Sequence, residues 1–296
     1  MFRYLKLTIL LVTVFIISAC QSSLESDIQQ YEENMEDIYE LDRQFLEALD
    51  ELDLKQLETV YATEADVSKD DIAEIKKVVD ESLVPLSTKM NEKIETVEVS
   101  NEELKEVHED YVESLELKET FAKELGRGID LYLSYKESTN QLIKDGEAVS
   151  AAKKERQSII QGNHSKVAAA EIDQVIDIVN ERSGELEENV GLLQSDNDVA
   201  EKQRIVDEVL MPILDTQIDK LNQLSLETDE AKSVRSISLE MFYTFKSYYK
   251  ERINIIQVYE EEQNLQIQNI VPKTESFNKL DMTYLEKLNQ LKESTK

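Results

Sequence analysis

The sequence predicts an all-α protein made of long helices, and three observations support this. Only six glycines and three prolines punctuate 296 residues, which is too few turn residues for a sheet protein. Helix-favouring Ala, Leu, Glu, Lys and Gln are abundant. Apolar residues recur three, four or seven positions apart over long stretches. We therefore expect an elongated multi-helix bundle, and a hydrophobic content of 41% argues against disorder despite the charge.

The N-terminus has the pattern of a lipoprotein signal peptide. Arg3 and Lys6 precede an apolar run, residues 7–17, that is short for a membrane span. The run leads into Ile-Ser-Ala-Cys, a branched aliphatic and two small residues before the sole cysteine, Cys20. This pattern predicts a signal peptide over 1–19, a diacylglycerol on Cys20 and a lipid-anchored tether over 20–25. The alternative is a plain signal anchor with an incidental cysteine.

The net charge of −30 restricts the partners. Such a surface repels nucleic acid, anionic lipid headgroups and anionic wall polymers, so no nucleic-acid binding is expected. The predicted partners are the membrane, through the lipid on Cys20, and an envelope protein or cell-wall component. The predicted location is the extracytoplasmic face of the cell membrane.

The first predicted helical repeat covers residues 26–145. A helix begins near Asp27 with a heptad seam that Asp42 interrupts once. The seam residues are Ile28, Tyr31, Met35, Ile38, Phe45, Leu49 and Leu52. The acidic outer faces of this helix suggest either a solvated surface or weak binding of a divalent cation.

Capping signals divide the rest of this repeat. Ser68 with Asp71, and Ser100 with Glu103, resemble capping boxes that open a second and a third helix. Pro85 lies inside the second helix and should bend it. The third helix is predicted from about 101 to 145, with Gly126 and Gly128 marking either close contact or a break, and Gly146 as its stop.

A second repeat is predicted over residues 146–268, because two segments recur in order. Residues 205–213, IVDEVLMPI, match residues 78–86, VVDESLVPL, at five of nine positions with an offset of 127. Residues 238–245 match residues 114–121 with an offset of 124, and the gap is expected in the turn between the helices. Pro85 and Pro212 are predicted structural kinks, although the Asp-Glu pair beside each is also a possible cation ligand set. A C-terminal helix should follow in 269–296.

Within this repeat, a polar helix or loop that Gly162-Asn163 punctuates is predicted for residues 147–164, and a helix from about 165 to 194. The most aromatic stretch, residues 238–259, carries two apolar seams, as a helix wedged between two others requires. Its tyrosines either fill the core or line a groove for a glycan or peptide. The candidate motif or groove residues are Glu240, Met241, Phe242, Tyr243, Tyr248, Tyr249 and Tyr259.

The sequence shows no catalytic constellation. The two histidines, His108 and His164, lack the partners of a zinc motif and are expected to be exposed polar residues. There is no nucleophile elbow, phosphate loop or dinucleotide fingerprint. We therefore expect no enzyme activity, no cofactor and no metal.

The residues Glu240-Met241-Phe242-Tyr243 resemble the signature of the EMYY-motif lipoproteins of Gram-positive bacteria, with Phe242 where the signature has a tyrosine. The lipobox, the size and the acidic helical body are similar too. The family has no assigned activity, so the resemblance implies a location and not a mechanism. A weaker resemblance is to helical lipoproteins of the same bacteria that have been proposed to bind the cell wall.

These observations predict a membrane-anchored helical lipoprotein that acts as a binding or scaffold protein at the cell envelope. The alternative is a lipoprotein receptor that holds a small ligand or cation between its helical repeats.

Overall fold

The computed structural model describes residues 2–52, 54, 69–195 and 197–295, with side chains from residue 24 onward except 69, 70 and 267. In this part of the chain the regular elements are helices, which form a bundle, and the all-α prediction is confirmed. The α-helices are α1 (Phe2–Asp50), α2 (Lys69–Val78), α3 (Val84–Ile94), α4 (Glu102–Ile160), α5 (Lys166–Glu181), α6 (Ser183–Leu192), α7 (Val199–Ile205), α8 (Met211–Gln223), α9 (Asp229–Leu265) and α10 (Lys273–Ser294). The predicted cap at Ser68 lies outside the described residues.

The helices group into two compact units. Unit 1 comprises Met1–Ile129 and Leu265–Lys296, and unit 2 comprises Asp130–Asn264. The sequence placed its division at residues 145 and 146 and treated 269–296 as a separate helix. In the structure the division falls inside α4, and α10 belongs to unit 1.

The core of unit 1 follows the seam predicted on α1. All seven predicted seam residues are buried, and α1 packs against α3. Phe277 and Tyr284 bring α10 into the same core, where the Tyr284 ring stacks on Tyr111 of α4 with centroids 4.5 Å apart. The heptad pattern therefore identified the buried face of α1 correctly.

In unit 2 both predicted seams of α9 are used. Met241 packs with Ala152 of α4, whereas Phe242 joins a larger cluster with side chains of α5 and α8. A helix that contacts neighbours on two sides needs a wide apolar face, and the two seams supply that width.

Three helix ends differ from the sequence predictions. The stop predicted at Gly146 is wrong, since α4 continues to Ile160. One interior glycine costs only about 1 kcal/mol, and Ala152 beyond it is buried against α9. The single helix predicted over 165–194 is interrupted at Arg182, whose φ of −118° and ψ of 17° separate α5 from α6. The cap of α4 is Asn101 instead of Ser100, because its Oδ1 accepts the amides of residues 103 and 104 at 3.0 and 3.2 Å.

A widened turn precedes each of the two prolines, Pro85 and Pro212, at which the sequence predicts a kink. Five-residue π-helical turns, Val79–Leu83 and Val206–Leu210, precede Pro85 and Pro212 and are separated by the same 127 residues. Each turn closes with a bond across five residues, from the amide just before the proline, such as Val84 N–H to the Val79 carbonyl. A proline clashes with the carbonyl four residues back, and a wider turn relieves that clash.

The 127-residue offset persists to the next helix start, because α4 begins at Glu102 and α9 at Asp229. The three-residue gap therefore lies in the first turns of these helices, and its predicted position in the turn between helices is wrong. A difference of three residues within a helix rotates the following part by about 300°, which is close to a full turn. Nearly the same face of the helix is therefore buried in both repeats.

An ion pair extends the correspondence to α1 and α5. Lys93 Nζ lies 2.8 Å from Asp37 of α1, and Lys220 Nζ lies 2.6 Å from Glu181 of α5. The lysines differ by 127 residues and their acidic partners by 144. The offset of 144 also pairs Ile28 with Ile172, which are both buried, and Asp27 with Glu171.

Candidate functional site

The four residues of the predicted motif divide between the core and the surface of α9. Met241 and Phe242 are buried, whereas Glu240 is exposed and Tyr243 is 55% exposed. Glu240 therefore does not form an inward-facing polar network with the tyrosine hydroxyls. The buried pair fixes the rotation of α9 and so directs Tyr243 outward.

The remaining candidate tyrosines do not share one surface. Tyr249 is buried, and the ring of Tyr248 meets it edge to face at 5.7 Å. Burial raises the pKa of Tyr249. Tyr259 is 46% exposed and contacts Tyr135 edge to face at 5.7 Å. Tyr249 thus serves the core, and Tyr243 is the most exposed tyrosine among the candidates.

Asp80, Asp207 and Glu208, which lie beside the two prolines, have partners of their own. Lys76 pairs with Asp80 at 2.9 Å, and Gln203 and Arg204 contact Asp207 and Glu208. No group of three or more metal-ligating side chains occurs in the part of the chain that the structure describes. We interpret Pro85 and Pro212 as determinants of helix shape.

Cys20 lies on α1, whose backbone is helical from Phe2 through the predicted tether to Asp50. The cysteine side chain is outside the described side chains. Among the described residues, no helix has both the length and the apolar character that a membrane crossing requires.

Unit 1 contains a buried ionic centre that the sequence did not predict. The Nζ of Lys118 is fully buried and lies 2.7 Å from Asp42 Oδ1 and 2.8 Å from Asp281 Oδ2. The Tyr111 hydroxyl donates to Asp42 at 2.9 Å, and the Ser114 hydroxyl donates to Asp281. The centre thus ties α1, α4 and α10 together with one cation and two carboxylates.

Aromatic rings surround this centre. Lys118 Nζ lies 5.8 Å from the Tyr111 ring centroid and 5.7 Å from that of Phe277. Burial raises the pKa of the Asp42 carboxyl, and the attraction of Lys118 opposes that rise. With little water near, the Lys118 ammonium and the two carboxylates stabilise one another, and the ammonium also offsets the repulsion between Asp42 and Asp281.

A polar cleft of about 390 Å³ also lies in unit 1. One wall is a stretch of α1 that includes Asp27, Gln30 and Asn34. The other is the connection from α3 to α4, residues 96–101, in which residues 97–100 have no regular secondary structure. A cleft of this size can hold a small molecule.

At the matching place in unit 2, a side chain of α5 bonds the connection that leads into α9. Glu171 of α5 is buried, and its carboxylate accepts the amides of Glu227 and Thr228 at 2.8 and 2.9 Å as well as the Thr228 hydroxyl. These bonds hold the pKa of Glu171 below its usual value. They also satisfy donors at the N-terminus of α9, which a helix cannot satisfy internally.

Both histidines have structural contacts, so the expectation that they are simply exposed is wrong. His108 is half-buried, and its Nδ1 lies 3.2 Å from the Tyr31 hydroxyl. His164 Nε2 lies 2.6 Å from the carbonyl of Ile159, a bond that caps the end of α4.

Comparison with known sequences identifies the family. The sequence model of the EMYY-motif containing lipoproteins matches residues 1–292. Neither the curated proteins nor the solved structures gave a match. Since the match covers nearly the whole chain, the protein belongs to the EMYY-motif lipoprotein family.

Proposed function

We propose that this lipoprotein binds a protein partner at the cell envelope through the exposed side of α9. The surface that we call the motif face consists of Glu240, Tyr243, Ser247 and Lys250, which are three or four residues apart and so lie along one side of the helix. Cys20 would carry the lipid that holds the protein on the extracytoplasmic side of the membrane.

The exposure of Tyr243 carries this proposal. A tyrosine offers a large apolar ring and a hydroxyl while losing little side-chain entropy on binding, and tyrosines are enriched at binding hot spots. Tyr243 belongs to the segment that resembles the motif of the family, yet it is 55% exposed and contributes little to the core. A purely structural motif would need its buried half, Met241 and Phe242, and not this side chain.

Charge helps to define the partner. The motif face presents one carboxylate, one ammonium and one phenol, a mixture suited to a protein surface with both charge signs. The net charge of −30 disfavours an anionic wall polymer. A cell-wall component therefore ranks below an envelope protein as the partner.

Site-specific crosslinking can test this function. A photoreactive amino acid replaces Lys250 in the full membrane-anchored chain, and we expect a discrete crosslinked envelope protein. Adding Tyr243→Ala should abolish the product, whereas Ile143→Ala, at a position 56% exposed on α4, should leave it unchanged. A product that persists unaltered in the Tyr243→Ala chain would refute the motif face as the binding surface.

A receptor for a small ligand is a second candidate function, and the cleft in unit 1 favours it. The ligand would then lie within unit 1, between α1 and the connection from α3 to α4. This differs from the sequence-based hypothesis of a ligand held between the repeats.

A further inference from the structure

We propose that the unit 1 cleft binds a small zwitterion of the amino-acid type, with its ammonium group on Asp27 and its carboxylate on the amides of Ser100 and Asn101. This inference rests on the receptor role proposed above and names the chemical class of its ligand. It concerns a different helix and a different unit from the motif face.

The first step is the correspondence between Asp27 and Glu171. The two residues are 144 apart, the spacing that also relates the acidic partners of Lys93 and Lys220. In unit 2 the Glu171 carboxylate reaches the amides of residues 227 and 228. Residues 100 and 101 correspond to these through the offset of 127, and both line the cleft with Asp27.

The second step is the missing methylene. The aspartate side chain is one carbon shorter than that of glutamate. Within the described residues, no protein acceptor bonds the amides of Ser100 and Asn101. The Asn101 side chain already accepts the next two amides, those of residues 103 and 104. Two donors at the start of α4 therefore remain for a carboxylate, the group that helix N-termini favour.

The third step is electrostatic. Asp27 and Glu98 both line the cleft, and neither has an ion-pair partner in the described part of the chain. A simple anion would be repelled by these two carboxylates and by the net charge of −30. A ligand that bridges a carboxylate and a pair of amides must donate at one end and accept at the other, as a zwitterion does.

Calorimetric titration of the full chain in detergent tests the proposal. The probes are the twenty standard amino acids at millimolar concentration, followed by the amide and the N-acetyl form of the tightest binder. We expect one or more amino acids to bind, and both blocked forms to bind at least about tenfold more weakly, since each loses a charged hydrogen bond. No heat from any amino acid would overturn the proposal, and so would equal binding of either blocked form.

Two substitutions of Asp27 separate the roles of its charge and its length. Asp27→Asn removes the partner of the ammonium group and should weaken binding at least about tenfold. Asp27→Glu keeps the charge but supplies the carbon that Glu171 has, so its carboxylate should occupy the amides and abolish binding. It should also slow hydrogen exchange at residues 100 and 101. Unchanged affinity in Asp27→Glu would overturn the assignment of the ligand carboxylate.

Control variants distinguish this site from the motif face. Glu36→Gln removes an exposed carboxylate of α1 that does not line the cleft, and it should bind the amino acid normally. Tyr243→Ala should bind it normally too, whereas the crosslink from residue 250 should survive Asp27→Glu. Loss of amino-acid binding in Glu36→Gln would overturn the placement of the ligand in the cleft.

Discussion

Replacing Lys118 with methionine should destabilise unit 1 by about 3 kcal/mol. The substitution keeps the length of the side chain but leaves Asp42 and Asp281 without the ammonium that lies 2.7 and 2.8 Å from them. Removing one partner of a buried ion pair typically costs about 3 to 5 kcal/mol. The lower end applies here, because the hydroxyls of Tyr111 and Ser114 still donate to the two carboxylates.

Hydrogen exchange measured by mass spectrometry suits this prediction, because a chain with two compact units need not unfold in one step. A loss of 3 kcal/mol corresponds to exchange about 100-fold faster for the buried amides of α4 between residues 104 and 129. Lys105→Met is the matched control, since Lys105 is an exposed lysine on the same helix. Its effect should stay within about 0.5 kcal/mol.

A triple variant tests the reasoning behind this magnitude. Asp42→Asn and Asp281→Asn, added to Lys118→Met, remove all three charges while retaining acceptors for the two hydroxyls. We expect the triple variant to recover at least half of the loss, because a buried ionic triad can be replaced by neutral groups at little cost. Equal exchange in Lys118→Met and the parent protein would refute the reasoning, and so would a triple variant less stable than Lys118→Met.

Three further predictions concern pH, glycine and helix capping. Burial lowers the pKa of His108, so the folded state favours its neutral form. The resulting stabilisation should be complete above the unfolded pKa of about 6.5 and be lost as the pH falls through the lower folded pKa. His108→Gln should flatten that part of a curve of unfolding free energy against pH. Gly146→Ala should stabilise α4 by about 0.5 to 1 kcal/mol, because the new Cβ meets no atom within 4 Å. Gly126→Val should destabilise the protein by about 1 to 3 kcal/mol, because the first added carbon already lies 3.3 Å from Val79. Urea titrations of both variants measure the change in unfolding free energy. Glu171→Ala should speed hydrogen exchange at residues 227 and 228, and unchanged exchange there would contradict its role as a cap.

The ionic centre shows why the buried face was predictable and its chemistry was not. Asp42, Lys118 and Asp281 occupy apolar registers of their helices, as Lys118 does between Tyr111, Leu115 and Leu125. On each helix alone, such a charge looks like a break in the apolar seam, as Asp42 does on α1. Only the three charges together reveal the centre, because the Lys118 ammonium can offset Asp42 and Asp281 only where the three helices meet.

The helix ends were less predictable for a different reason. Gly146 has the residue type of a stop, but the chain continues as α4 because residues beyond it pack on α9. Local propensity is worth about 1 kcal/mol at such a position, and burying one apolar side chain can outweigh it. Sequence patterns therefore located the helices well and their ends poorly.

The two repeats differ at positions that decide what each unit can do. Under the offset of 124, Lys118 of unit 1 corresponds to Phe242, which is buried in the apolar cluster of unit 2. Under the offset of 144, Asp27 corresponds to Glu171, which caps α9. In both pairs the unit 2 residue is accommodated by apolar packing or by hydrogen bonds to amides, whereas unit 1 carries a charge that an opposite charge nearby would stabilise. Asp42 and Asp281 supply that opposite charge for Lys118. For Asp27, the ammonium group of a bound ligand would supply it. Asp27→Glu would instead restore the arrangement of unit 2, and it is therefore the most informative single substitution in the chain.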